Sequence, residues 1–181
     1  MAGGRGQYQL KPYRVIYAGV EGASEQAFLK WMERLCDDRD IRVRFKIQNC
    51  NGGSPKQIVD ETVKFRPARA LAINSIILLD KDRLSDHEER ELQQLADKQK
   101  ITLIIQRPNF EGIMLRLNPG EEPKQPPPEA VKIMLRKFWQ DYEKPPAARE
   151  LAARFGFENL EALARYDEDL ATLLRLVGLK A

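Results

Sequence analysis

Histidine and cysteine are almost absent from this 181-residue chain, which has one of the first, His87, and two of the second, Cys36 and Cys50. A single histidine excludes a histidine metal cluster, and any Ser–His or Cys–His nucleophile would have to be built on His87. The cysteines stand apart with no CxxC spacing, which excludes a disulfide framework and a cysteine zinc site. No apolar run approaches the roughly 18 residues of a membrane span. The opening MAGGRGQYQLKPYR has no signal-peptide core either. The chain is therefore expected in the cytoplasm, with no membrane partner. Excess charge is also lacking. The formal net charge of +3 equals that of Arg5, Lys11 and Arg14 in the first twenty residues, and the rest balances. Bulk charge does not hold nucleic acid here; only a local site can.

At 43% hydrophobic and 31% charged, the chain has the material for one solvated, folded domain. Residues 1–12 read as a flexible tail. Arg14 to Val20 reads as a strand, followed by a helix capped at Ser24 and running to about Asp38, with Ala27, Phe28, Trp31, Met32 and Leu35 on its apolar face. From Ile41 to Gln48 apolar and polar residues alternate, the mark of a strand with one wet face near a sheet edge. Ser54-Pro55-Lys56-Gln57 opens a second helix that ends near Pro67, and Ser85 to Glu88 opens a third that runs to about Lys98. Ile76 to Leu79 and Ile101 to Ile105 read as buried strands. The order β-α-β-α-β-α-β predicts an α/β core with a mostly parallel four-stranded sheet flanked by helices. The core spans 13–118. After a helix over 110–117, residues 119–128 hold five of the eleven prolines and read as an extended connector. A helical C-terminal extension over 129–181 follows, with helices near 129–142, 147–155 and 158–177 and a break near Tyr166.

Open parallel sheets gather ligands at the carboxyl ends of their strands, and few acids fall there. Glu21 follows the first strand, Asp80 and Asp82 the third, and Glu111 lies six residues past the fourth. In an extended backbone Asp80 and Asp82 point to one side, with Cα atoms roughly 6.5–7 Å apart. Such a pair can share a hard divalent cation, and a cation would offset the cost of a carboxylate at a buried strand end. A solvated loop paired with Lys81 or Arg83 is the plain alternative. Glu25, four residues after Glu21, either joins the cluster or complements the helix dipole.

The combination of strand-Glu-Gly-helix and strand-DxD on one α/β core is the TOPRIM arrangement. EGASEQAFL and ILLDKD resemble its two motifs, and PNFEGIML, from Pro108 to Leu115, resembles a Pro-x-Phe-Glu-helix segment of RloB-like proteins. That family comprises small defence-associated TOPRIM proteins related to OLD-type nucleases. The resemblance covers roughly Val15 to Leu117 and implies a divalent-metal-dependent nuclease. In it Glu21, Asp80 and Asp82 are catalytic, and they bind Mg²⁺ or Mn²⁺ together with Glu25 and Glu111. The relatives often carry Trp and then His after Phe-Glu, where this chain has Gly112 to Leu117 without either. The chain contains no GxxxxGK[ST], so any coupled ATPase is a separate subunit.

Two basic stripes are candidates for phosphate contact: Arg42, Arg44 and Lys46 on one strand face, and Lys132 with Arg136 a turn apart on a helix. Edge protection by charge is the favoured reading of the strand stripe. A haloacid-dehalogenase-type phosphatase and a receiver domain both place their acids after the first strand, unlike the DxD here. The non-enzyme alternative is a TOPRIM-like scaffold that binds nucleic acid or a partner without cutting.

Overall fold

A computed structural model describes residues 12–67, 75–142 and 145–179; the expected tail falls outside them, save for Pro12. Four strands, β1 (Arg14–Val20), β2 (Val43–Asn49), β3 (Ser75–Asp80) and β4 (Ile101–Gln106), form one all-parallel sheet in the order β2-β1-β3-β4. The expected α/β class and the edge position of β2 are as observed, and β2 starts at Val43 rather than Ile41.

The strands' own alternation decides which helices cover each face. Ile16, Ala18 and Val20 of β1, Ile76 and Leu78 of β3 and Ile104 of β4 join Phe28, Trp31 and Met32 of α1 (Ala23–Asp37) in one apolar cluster. Ile77, Leu79, Ile101, Leu103 and Ile105 face the other way, onto Ile58 and Val59 of α2 (Pro55–Phe65) and Leu92 and Ala96 of α3 (Asp86–Lys98). Contact on the α2 side is close. A Cβ at Gly19 would meet Thr62 Oγ1 at 1.9 Å, so only glycine fits there.

The first face also takes α4 (Phe110–Arg116) and the C-terminal helices α6 (Ala148–Arg154), α7 (Phe157–Ala164) and α8 (Glu168–Val177). Their Leu115, Leu151, Leu160 and Leu174 belong to the same cluster as Ile16. Arg116 of α4, 1% exposed, pairs with Asp167 at 2.8 Å and donates to the carbonyls of Tyr166 and Glu122, tying α8 to the sheet. α5 (Pro128–Leu135) is shorter than the periodicity predicted. The chain leaves it through turns that carry Trp139 onto Tyr142, ring centroids 5.5 Å apart. Those turns set Tyr142 into the core, 3% exposed.

The strand order places a topological switch between β1 and β3. The helix after β1 lies on one face and the helix after β3 on the other, so their carboxyl ends open a crevice of the kind that binds ligands in α/β sheets.

Candidate functional site

Val20 is in register with Leu78, so Glu21 and Asp80 leave neighbouring strands, which stand about 4.8 Å apart, at that switch. The backbone then arranges the acids one by one. α1 is capped at Gly22, two residues before the expected Ser24, because the Glu25 carboxylate reaches back to accept the Gly22 N–H at 2.9 Å. Glu25 therefore caps its own helix and is 4% exposed. Asp80 accepts the Phe110 N–H at 2.9 Å, and the Asp82 N–H donates to Pro108 O at 2.9 Å. The Asn109 amide donates to Asp82 at 2.9 Å while its oxygen caps α4 through Gly112 N. A Cβ at Gly112 would meet Pro108 Cδ at 2.4 Å, so glycine lets α4 start this close to the Pro108 turn. That start brings Glu111 in beside the other acids.

The five carboxylates feel one another. Asp80 is pushed up to about 8, first by burial and then by the charges of Glu25, Glu21, Asp82 and Glu111. Glu25 is raised by burial, then by Glu21 and Glu111. Each acid nonetheless has its own protein donor. Glu21 pairs with Arg83, from the 3-10 turn over Lys81–Arg83 that follows β3. Glu111 accepts the Tyr142 hydroxyl at 3.2 Å and lies 3.5 Å from Lys132 Nζ. Lys81 turns away to Asp86 and Glu89, at 2.7 Å each, and pairs with neither aspartate. Among the described residues, no three acidic, histidine or cysteine side chains are grouped so that they could hold a metal ion. The donor chemistry still suits Mg²⁺ or Mn²⁺. All the candidate donors are hard oxygens, four further acids raise the pKa of the half-buried Asp80 after burial does, and Mg²⁺ uses one or two carboxylates with waters rather than a full protein cage.

The basic stripes divide. Arg44 pairs with Asp37 at 2.9 Å, lies over the Tyr13 ring and donates to the outward carbonyl of Val43 at 2.7 Å. Glu33 takes the next outward amide, Phe45 N–H, at 2.5 Å. Charged side chains thus occupy the free edge of β2. Arg42 also lies over Tyr13, and Lys46 over Tyr17. Arg44 lines a cleft of about 530 Å³ with Lys30, Arg34 and Arg149, at the end of the parallel sheet away from the acids. Lys132 instead joins the acid cluster, and Arg136 Nε donates to Tyr142 O at 3.4 Å. His87 is exposed, 3.5 Å from Glu91.

Sequence reasoning missed Asn109 and Tyr142 as neighbours of the site, and it offered Arg83 to the aspartates, whereas Arg83 pairs with Glu21. Asn109 was open to discovery as the residue before Phe-Glu with helix-capping chemistry. Tyr142 carried no signal, because only the turns after α5 bring it to Glu111. No family model matches the chain, and neither a curated protein nor a solved structure matches it.

Proposed function

We propose that this protein is a divalent-metal-dependent nuclease that hydrolyses phosphodiester bonds of DNA or RNA. One observation carries the reading. Five carboxylates, at the ends of β1 and β3, on the turn after β3 and in the first turns of α1 and α4, sit within electrostatic reach of one another at a topological switch, where burial first and then the other four charges push Asp80 to about 8. Such a concentration of negative charge is costly for a fold to keep, and phosphodiester chemistry has a use for it. The motif likeness to TOPRIM proteins of the RloB-like and OLD-type group supports the same reading, and with it a role in an anti-phage or restriction-linked system beside a separate ATPase subunit.

Asp80 and Asp82 would hold the ion from one strand end and Glu21 from the next, with Glu25 and Glu111 behind them. When bound, Mg²⁺ or Mn²⁺ supplies positive charge that polarises the phosphodiester and lowers the pKa of a water. Glu21 would either share in holding the ion or act as general base, since it lies at the mouth of the switch rather than under a helix. The Phe110 N–H and the Asn109 amide fix the aspartate oxygens, and the Tyr142 hydroxyl fixes Glu111. A non-cleaving scaffold is the second reading. It is favoured by the separate protein donor that each acid already has.

The test is cleavage of single- and double-stranded DNA and of tRNA with Mn²⁺, wild type against Asp80→Ala. Activity confined to wild type is expected. Equal activity in both, or none in either, overturns the nuclease reading and leaves the scaffold.

A further inference from the structure

Arg83 stands out once every charged group near the acids has been assigned a partner. Its guanidinium pairs with Glu21, 62 residues away in sequence, and among the described residues this is the one ion pair that reaches Glu21, Asp80 or Asp82. Arg83 sits on a three-residue 3-10 turn immediately after Asp80 and Asp82, and its side chain is 45% exposed, against 16% for Glu21. It is thus anchored at the backbone beside the DxD pair, and its guanidinium, paired with Glu21, is open to solvent.

We infer that Arg83 is an exchangeable counter-ion. It holds Glu21 while the site is metal-free, gives Glu21 up to a divalent cation, and then takes a phosphate oxygen of the nucleic acid. The inference rests on the metal-dependent reading above. Its physical basis is competition. A guanidinium and a divalent cation compete for one carboxylate, and an ion pair whose cation is open to solvent is weak, so a divalent cation can displace it. The released fork is suited to bidentate contact with a phosphate, which a lysine at the same place would make less well.

Mn²⁺ affinity, read from the electron paramagnetic resonance of the free ion, tests the first half in wild type, Arg83→Gln and Arg83→Lys without nucleic acid. Arg83→Gln should bind Mn²⁺ about three- to tenfold more tightly, because competitor and like charge are both gone. Arg83→Lys should fall between. Binding of a fluorescent single-stranded oligodeoxynucleotide in Ca²⁺ tests the second half. Arg83→Gln should weaken it about threefold or more, with no such difference in EDTA. Unaltered melting temperatures would show that the exposed turn tolerates the change. Equal or weaker Mn²⁺ binding in Arg83→Gln overturns the exchange, and equal oligonucleotide binding in Ca²⁺ overturns the transfer to phosphate. If neither wild type nor variant binds Mn²⁺ at millimolar concentration, the metal reading itself falls and the inference with it, a result distinct from equal affinities.

Discussion

Asp80 and Asp82 stand two residues apart in one short motif, yet they meet different surroundings. Asp80 ends β3 beneath the first turn of α4, accepts the Phe110 N–H and keeps its proton up to about 8. Asp82 lies exposed on the 3-10 turn, held by the Asn109 amide from outside. Glu25 and Glu21 repeat the contrast, one buried at 4% exposure and capping its own helix, the other turned out to Arg83. Depth below α4 and α1 therefore separates an inner pair that resists ionisation from an outer pair turned towards the surface. Spacing alone makes the four acids look alike.

Removing the inner acid should have the largest effect. Asp80→Asn is expected to lower cleavage by at least about 10³-fold while raising the melting temperature of the metal-free protein at pH 8 by about 3 °C or more. The variant keeps the acceptor for Phe110 N–H and removes the repelled charge. Activity that falls together with stability would break the comparison, because it would make Asp80 a packing residue.

The pH dependence sharpens the contrast. Folded Asp80 keeps its proton to about 8, whereas an ordinary aspartate loses it near 3.8. The folded state therefore binds the proton more tightly. This contribution to stability is full below about 4 and is lost as pH rises towards about 8. Denaturant melts of the metal-free protein should show that decline in wild type, retain most of it in Asp82→Asn and lose it in Asp80→Asn. Millimolar Mg²⁺ at pH 8 should restore stability to wild type by binding the folded state.

Asn109→Ala acts on the outer acid alone. It deletes the amide that fixes Asp82 and the cap on Gly112 N. The lost cap should destabilise by about 1 kcal/mol, and the unanchored Asp82 should weaken Mn²⁺ affinity about tenfold. Calorimetric titration separates the two. A tenfold loss in Asn109→Ser, which restores a capping oxygen but no donor of that reach, assigns it to Asp82.

The parts legible in the sequence are those encoded locally. β1, β3 and β4 are apolar runs, α2 and α3 carry their Ser54 and Ser85 caps, and the acids fall at strand ends because strand ends can be read. Ser24 misled, since a side chain three residues past Gly22 caps as well as a serine does. The apolar spacing through Phe138 and Trp139 suggested a long helix. Tertiary contact won there, because a chain leaving α5 at Leu135 can seat Tyr142 against Trp139 and Glu111. Arg83 meeting Glu21 depends on β1 and β3 being neighbours, which the order of elements along the chain does not state.

The smallest expected effects belong to the residues that the C-terminal helices lend to the site. Tyr142→Phe keeps the ring against Trp139 and deletes one hydroxyl, whose bond to Glu111 is worth about 1 kcal/mol. Mn²⁺ affinity should fall about threefold and the fold should hold. The change should disappear in a Glu111→Gln background, where the hydroxyl has no charged oxygen to fix. Lys132→Ala should weaken oligonucleotide binding and reduce its salt slope by about one ion, because Lys132 is a cation at the acid rim. Arg44→Ala should leave both unchanged, since its charge is spent on Asp37 and the Val43 carbonyl. Equal losses from the two would mean that nucleic acid runs along β2 as well, away from the acids. The outer acids would then receive their substrate from the sheet edge rather than from the α5 side.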